Sequence, residues 1–235
     1  MKKFIFRLLI GIVLVLAVGY GTYEVMNARG FQVFGELTDH VETDEKVVAL
    51  TFDDGPTERV KDLLPLLEEY DVKATFFLVG NEIEQNLDEA RMIIEEGHQV
   101  GNHSYSHQKM VFKRYSFYKN EVNLTNGMIR EIGYKRDIDF RPPFGKKLVG
   151  LPYYLNQLDM ETIMWDVEPD TYYTTPEDKV AYVNENVKPG SIILMHPMYG
   201  EIEESLTAIE GVIQTLSDKG YTFVTVDELK EKRRK

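Results

Sequence analysis

The stretch KVVALTFDDGP, residues 46–56, decides the fold, because it joins an apolar run to a turn that carries two adjacent carboxylates. Its first part, VVALTF (residues 47–52), is typical of a buried strand in a parallel sheet. The Gly-Pro pair at its end favours a turn. Asp53 and Asp54 are like charges at neighbouring positions, and such a pair needs a cation beside it if both carboxylates are to stay ionised. We therefore expect a buried strand that ends in a functional site.

Outward from this strand, short apolar runs alternate with helical patterns. The apolar runs predict seven strands, at residues 47–52, 73–80, 98–103, 137–143, 160–167, 190–196 and 221–226. The helical patterns lie between them, at residues 57–70, 87–97, 114–132, 149–159, 176–187 and 205–220. No hairpin signal separates successive strands, which implies parallel strands with helical crossovers. The sequence therefore predicts an α/β fold with a closed or nearly closed barrel, and an open doubly wound sheet is the alternative.

The composition allows one substantial domain and excludes several classes of site. The chain has 235 residues, of which 43% are hydrophobic and 28% are charged, and an α/β barrel can use this whole length as a single domain. The formal net charge of -12 argues against a general nucleic-acid-binding role. Because the chain has no cysteine, any metal must be bound by His, Asp, Glu and water.

The N-terminus carries a targeting signal. The basic segment MKKFIFR precedes an apolar run at residues 8–20, which is the pattern of an export signal. No A-x-A cleavage site follows, and this favours an uncleaved membrane anchor over a cleaved, secreted form. The basic flank places the rest of the chain outside the cytoplasm. We expect a signal anchor or signal peptide over residues 1–26, a polar linker over residues 27–45 and a folded domain over residues 46–235.

Polar residues follow nearly every predicted strand. In parallel α/β folds the functional residues collect where strands end and loops begin. Five of the first six predicted strands end in such residues. In chain order these are Asp53 with Asp54 after the first strand, His103 with His107 after the third, Arg141 after the fourth, the segment from Asp166 to Asp170 after the fifth, and His196 after the sixth. We therefore expect these side chains to share one rim of the domain.

The segment NHSYSH, residues 102–107, supplies two histidines four residues apart. An isolated pair with this spacing is a weak signal, but neutral imidazoles are good zinc ligands. A carboxylate from another strand end would complete three protein ligands and leave open the fourth position that a catalytic zinc needs. One acid of the Asp-Asp pair would then bind the cation, and the other would act as a general base.

Two further strand ends carry candidate groups. RPPFG, residues 141–145, places an arginine before a rigid turn, where it is either a bidentate partner for a carboxylate or a surface residue. Backbone N–H groups of this turn are candidates to face an oxyanion. His196 is a candidate general acid, because histidine titrates near neutral pH. His98 and His40 are not accompanied by other candidate site residues. We expect His98 to belong to the scaffold and His40 to the linker.

Together these motifs resemble those of the polysaccharide deacetylases with a NodB-homology domain, carbohydrate esterase family four. TFDDGP, NHSYSH, RPPFG, the WDVEPDTY region and LMHP occur in the family's order between residues 46 and 228. The resemblance implies a distorted (β/α)7-8 barrel with a single catalytic domain behind the N-terminal transmembrane or signal segment, which agrees with the seven repeats. It also implies a divalent metal, usually Zn²⁺, with Co²⁺, Ni²⁺ or Mn²⁺ as alternatives.

The resemblance further implies roles for the metal-side residues. Asp54, His103 and His107 would bind the metal. Asp53 would be the catalytic base, and Arg141 would orient it. The activity implied is removal of acetyl groups from N-acetylated sugars of an extracytoplasmic polysaccharide, most directly N-acetylglucosamine of peptidoglycan or a chitin-like glycan. An O-acetyl esterase acting on xylan or exopolysaccharide, and a non-catalytic wall-binding protein with a degenerate site, are the alternatives.

On the substrate side, the resemblance implies that His196 protonates the leaving amine. The backbone N–H of Phe144 would hold the oxyanion, and Leu194 would line the pocket for the acetyl methyl group. The expected partners are the polysaccharide and, through the N-terminal segment, the membrane; we expect a monomer that binds no nucleic acid.

The fourth motif departs from the family pattern, which commonly has an Asp-Trp pair. WDVEPDTY makes Asp170 the expected partner of His196, with Tyr172 in place of the missing tryptophan. Glu168 and Asp166 remain alternatives for the partner of His196.

Overall fold

The structure, a computed structural model, describes residues 2–234 and confirms the predicted α/β fold with parallel strands. The central strand is β2 (Val47–Gly55), which pairs with β3 (Thr75–Leu78) and β6 (Ile192–Met195). The first residues of β2 also pair with β7 (Thr222–Val224), and β4 (Gln99–Asn102) continues the sheet beyond β3. Because all of these pairs are parallel, the carboxyl ends of the strands lie at one edge of the sheet.

A two-stranded sheet, β1 (Leu37–Thr38) with β5 (Thr162–Ile163), continues the arrangement through single bridges. Phe140 bridges β4 on one side and β5 on the other, and Val167 bridges β6. The strand predicted at residues 137–143 is therefore reduced to one residue with two bridges, because the two prolines that follow Arg141 have no N–H to donate to a ladder. The parallel order predicted from the sequence is present, with single bridges in place of ladders at these steps.

Helices connect the strands, as the sequence predicts. Their bounds are α1 (Lys2–Asn27), α2 (Val60–Glu69), α3 (Gly80–Gln85), α4 (Leu87–Glu95), α5 (Tyr115–Glu131), α6 (Gly150–Gln157), α7 (Pro176–Asn186), α8 (Ile202–Asp218) and α9 (Val226–Glu231). The helix α2 shows the packing principle, since its buried residues Val60, Leu63, Leu64 and Leu67 form one apolar stripe. The helix α3 was not predicted, because its sequence GNEIEQ is short and mostly polar.

The first helix, α1, is long and apolar enough to cross a membrane. It has 26 residues and so extends about 39 Å at 1.5 Å per residue, against about 30 Å for the hydrocarbon core of a bilayer. Within the described part of the chain, no residue of α1 is buried by the rest of the domain. The apolar run that the sequence analysis singled out therefore forms a single helix that stands apart from the core.

The expected linker at residues 27–45 needs correction, because part of it belongs to the domain. The strand β1 lies in this segment, and Val41 is buried in the core with its N–H donating to the carbonyl of Gly190 at 3.0 Å. The ammonium group of Lys147 also donates to the carbonyl of Ala28. These contacts escaped sequence reasoning because β1 has only two residues and its partners are more than a hundred residues away.

Candidate active site

The end of β2 brings both acids of the Asp-Asp pair to one cavity. Side chains of neighbouring strand residues ordinarily point to opposite faces. Here Asp54 has a positive φ of 72°, and the pairing with β3 changes register between Phe52 and Gly55. This irregularity breaks the alternation, so that the buried carboxylate of Asp53 and the partly exposed carboxylate of Asp54 line the same cavity.

Two histidines from the loop after β4 converge on Asp54. The Nε2 atoms of His103 and His107 lie 3.4 Å and 3.0 Å from Asp54 Oδ1. One ligand atom from each of the three residues lies within 4.8 Å of the other two. Burial raises the pKa of Asp54, but the side chains of His103 and His107, in their protonated forms, outweigh this and hold its pKa far below the ordinary range.

A hydrogen bond to the backbone fixes the orientation of the His103 ring. Its Nδ1–H donates to the backbone carbonyl of Arg141 at 2.7 Å, which leaves the Nε2 lone pair directed at the Asp54 side. One carboxylate and two neutral imidazoles are a donor set that suits Zn²⁺ and related divalent cations. The residues present therefore fit the metal that the resemblance implies.

Arg141 lies fully buried behind Asp53. Its Nη1 donates to Asp53 Oδ1 at 2.8 Å and to Thr51 Oγ1 at 2.8 Å, while Nη2 donates to the carbonyl of Met164 at 3.0 Å. The contact with Asp53 thus uses one nitrogen rather than the bidentate pair considered from the sequence, because the rest of the guanidinium binds backbone carbonyls. Asp53 Oδ2 is directed elsewhere and lies 3.6 Å from His103 Nε2.

His196 lies after β6 and is paired with Asp170. Its Nδ1 lies 3.1 Å from Asp170 Oδ2, which also accepts from the backbone N–H of His196 at 2.7 Å. Burial disfavours charge on His196, but the hydrogen bond to Asp170 and the negative charges of Asp170, Asp53 and Asp54 outweigh it and raise the pKa to about 9. Lys179 holds the other oxygen of Asp170 at 2.8 Å. The pairing with Asp170 therefore favours the protonated form of His196.

The two alternative acids of the fourth motif lie away from His196 in the described structure. Asp166 accepts hydrogen bonds from Ser191 Oγ and the N–H of Ile192, each at 2.9 Å. Glu168 accepts from Trp165 Nε1, also at 2.9 Å. Asp166 therefore binds the start of β6, and Glu168 holds the side chain of Trp165.

The cavity formed by these groups has a volume of about 560 Å³. It is lined by Asn27, Arg29, Asp53, Asp54, His103, His107, Phe144, Gly145, Lys146, Met164, Trp165, Glu168, Asp170, Thr171, Leu194, His196 and Tyr199. Leu194 is buried in its wall, as expected for an apolar contact.

Phe144 stands at the rim of the cavity with a positive φ of 59°. In its turn the N–H groups of Gly145 and Lys146 donate to the carbonyls of the two prolines, at 2.9 Å and 3.1 Å. Pro142 and Pro143 have no N–H, so Phe144 carries the remaining N–H of this turn. Its ring packs 4.7 Å from that of His107.

The expectation for Tyr172 needs correction, because Trp165 and not Tyr172 is among the residues that line the cavity. Tyr172 is 60% exposed and packs against Tyr182, with 5.7 Å between ring centroids, outside the cavity lining. Trp165 lines the cavity instead. A signal for it was present, since it is the one tryptophan of the chain and lies near the end of the strand predicted at residues 160–167. Arg29 also lines the cavity, and sequence reasoning missed it because its segment has the composition of a linker.

Comparisons with known proteins identify a family. A family model described as polysaccharide deacetylase matches residues 40–163. A peptidoglycan-N-acetylglucosamine deacetylase from Bacillus cereus is 32% identical over 200 residues, which cover 83% of this chain and 93% of that protein. A bifunctional xylanase/deacetylase from Pseudobutyrivibrio xylanivorans is 34% identical over 189 residues, or 80% of this chain, but this chain spans only 31% of its length.

A solved structure shares the fold. The crystal structure of a pseudoenzyme of carbohydrate esterase family four from Bacillus anthracis superimposes with a TM-score of 0.77 at 30% sequence identity. The match covers 86% of this chain and 72% of that one.

Proposed function

Because the chain belongs to the polysaccharide deacetylase family, carbohydrate esterase family four, we propose that it removes acetyl groups from N-acetylglucosamine in an extracytoplasmic glycan, with peptidoglycan as the first candidate. The observation that carries this proposal is that three groups of side chains lie around one cavity. These are the donor set around Asp54, the Asp53–Arg141 pair and the His196–Asp170 pair. The similarity to the peptidoglycan deacetylase of Bacillus cereus, which the chain matches over 93% of its length, supports the choice of substrate.

Asp54, His103 and His107 would hold the metal, for which Zn²⁺ is the first candidate. When bound, the metal would supply Lewis-acid polarisation of the acetyl carbonyl and lower the pKa of water. The hydrogen bond from His103 to the carbonyl of Arg141 supports this assignment, because it holds the imidazole in the tautomer that a metal requires.

Asp53 is suited to act as the general base. Arg141 engages Oδ1, which leaves Oδ2 directed toward the histidine side of the cavity to accept a proton from the attacking water. The N–H of Phe144 would donate to the oxygen that gains negative charge as water attacks the carbonyl carbon. Leu194 would contact the acetyl methyl group.

His196 is suited to act as the general acid. Its raised pKa favours the protonated form, and it would transfer that proton to the sugar nitrogen as the C–N bond breaks. The products are acetate and a free amine on the sugar. Asp170 stabilises the protonated imidazole and, together with Lys179, fixes its position.

We also propose that α1 remains as a membrane anchor, with the catalytic domain outside the cytoplasm as a monomer. The basic residues that precede the apolar run support this orientation.

An O-acetyl esterase is the second candidate, and the similarity to the xylanase/deacetylase favours it. The same base, acid and donor set are able to act on an ester. The non-catalytic alternative is less well supported, because the base, the acid and the metal donors are all present around the cavity.

The test is acetate release by the full chain, in detergent, from peptidoglycan, chitooligosaccharide and acetylxylan in parallel. We expect acetate release from peptidoglycan and chitooligosaccharide. Elemental analysis should find more than one divalent metal ion per two chains. Asp53→Asn should lower kcat by about 10³-fold, which is typical of removing a general base. Release from acetylxylan alone would favour the esterase. No release from any of the glycans would refute the enzyme assignment, and full activity of Asp53→Asn would remove Asp53 from its role.

A further inference from the structure

The end of α1 is part of the wall of the catalytic cavity. Asn27, the last residue of the helix, lines the cavity, and so does Arg29, whose Nη2 lies 3.1 Å from Glu168 Oε2. The N–H of Lys147 donates to the carbonyl of Met26 at 3.3 Å and holds the same segment. No spacer therefore separates the membrane-spanning candidate from the cavity.

A group of exposed aromatic side chains begins at Phe34, in the segment that follows α1. We call it the aromatic–basic surface, and it comprises Phe34, Phe112, Tyr115, Tyr153, Lys113 and Arg114. The ring of Phe34 packs edge-on against Tyr153 at 5.4 Å, and Tyr153 lies 6.3 Å from Tyr115. Phe112 is 75% exposed. Single exposed aromatic residues are ordinary, but neighbouring ones mark an interaction surface.

Cations accompany these rings. Lys113 and Arg114 are exposed between Phe112 and Tyr115, and residues 109–119 contain four Lys or Arg and no Asp or Glu. This is the opposite of the whole chain, which carries a net charge of -12. Aromatic rings favour the interface of a bilayer, and clustered cations are attracted to anionic lipid headgroups. The chemistry of the surface therefore fits an anionic bilayer.

The aromatic–basic surface also leads to the cavity mouth. Lys109 Nζ lies 5.6 Å from the ring of Phe144, and that ring packs against His107 inside the cavity. Lys109 lies only three residues before Phe112, so the chain segment that carries the cations of the surface also touches the rim of the catalytic site.

We propose that the aromatic–basic surface docks on the headgroup region of the anionic bilayer that holds α1. The bilayer is the occupant, rather than a second copy of the chain, because the surface is continuous with the segment that leaves α1 and carries the charge that anionic lipid attracts. Docking turns the cavity mouth toward the interface. Taken with the proposed function, on which this consequence rests, the substrate is an N-acetylated glycan held at the membrane surface.

The docking is tested with the full chain in nanodiscs that contain one copy each, made from phosphatidylglycerol and phosphatidylcholine. The chain has no cysteine, so Phe112→Cys carries a single fluorescent label. Asp218→Cys is the matched control, because it is exposed and precedes β7 at the opposite end of the parallel strands. A lipid with a nitroxide near its headgroup is the quencher. We expect strong quenching at position 112 and little at position 218.

The charges are tested by adding Lys113→Glu and Arg114→Glu to the labelled protein. We expect the ratio of docked to undocked protein to fall by at least roughly 30-fold, which is the ordinary contribution of two cations near an anionic surface, because the two added carboxylates act in the same direction. Equal quenching at positions 112 and 218, or quenching at position 112 that the double substitution leaves unchanged, would overturn the proposal. Neither measurement requires activity, so a failure of the proposed function leaves the docking result standing.

The substrate consequence has its own readout. The probe is a polyprenyl-diphosphate-linked disaccharide that contains N-acetylglucosamine, placed in the same nanodiscs, and a soluble chitooligosaccharide is the control. We expect the double substitution to slow acetate release from the lipid-linked probe by at least about 10-fold, in line with the lost attraction, and to leave release from the soluble substrate unchanged. Equal effects on both substrates would overturn this consequence.

Discussion

The pairing of His196 with Asp170 predicts how activity depends on pH. The pKa of His196 is raised from 6.5 to about 9, against the effect of burial, by the hydrogen bond to Asp170 and by nearby negative charge. The protonated acid is therefore present below that pKa and is lost as pH rises through it. We expect Asp170→Asn to move the alkaline limb of kcat/KM to lower pH, toward the ordinary range of histidine.

The magnitude follows from the two pKa values. At pH 8 a histidine with a pKa of 9 is about 90% protonated, whereas one with the unperturbed value of 6.5 is only about 3% protonated. Asp170→Asn is thus expected to lower activity at pH 8 by up to about 30-fold and to have a much smaller effect at pH 6. A bound divalent cation would offset the charges of Asp53 and Asp54. In the metal-bound enzyme Asp170 would therefore be the carboxylate that still raises the pKa of His196.

The assay is kcat/KM from pH 5.5 to 10 with a soluble chitooligosaccharide, supported by NMR titration of the His196 ring. Asp166→Asn is the matched control, because Asp166 belongs to the same motif but binds Ser191 and the backbone of β6. We expect the control to keep the alkaline limb of the wild type. An unchanged limb in folded Asp170→Asn would refute the reasoning.

Three further predictions concern the metal, the buried arginine and a buried histidine. His103→Ala should lower the metal content measured by elemental analysis of the dialysed protein and abolish most activity, and addition of excess Zn²⁺ should not restore it as it restores chelator-treated wild type. Arg141→Met leaves the buried carboxylate of Asp53 without its partner, so urea unfolding should show a loss of about 3–5 kcal/mol, whereas a loss below 1 kcal/mol would contradict the contacts described. Burial lowers the pKa of His98 from 6.5 to about 4, so its contribution to the free energy of unfolding is fully present above pH 6.5 and is lost as pH falls toward 4. Between pH 7 and pH 5 this loss should be about 2 kcal/mol. Thermal unfolding at the two pH values should show a smaller difference for His98→Gln than for the wild type.

Much of the fold was predictable because its signals are local. The strand β2 and the helix α2 follow from an apolar run and an apolar stripe, and both can be read without knowing their neighbours. The strand β1 and the bridge at Phe140 were not predictable in the same way. Two residues or one are too short for a periodic pattern, and their pairing partners lie far away in the chain.

The cavity shows the same division. The Asp-Asp pair, the two histidines of NHSYSH and the histidine of LMHP stand at predicted strand ends, so the parallel order alone was enough to expect them together. Arg29 and Trp165 line the cavity for reasons that no local pattern contains. Arg29 comes from a segment with the composition of a linker, and the role of Trp165 depends on how the loop after β5 turns.

The sequence by itself determined the parallel α/β architecture, the membrane-spanning candidate and the residue types at the strand ends, because hydrophobic periodicity and strand direction are encoded locally. Only the tertiary structure decided which atoms meet. It directs one oxygen of Asp53 to Arg141 and the other to the histidine side, selects Asp170 over Asp166 and Glu168 as the partner of His196, and joins the end of α1 to the cavity wall. The physical reason is that hydrogen bonds and ion pairs depend on distances of a few ångströms, which are set by packing between segments that are remote in the chain.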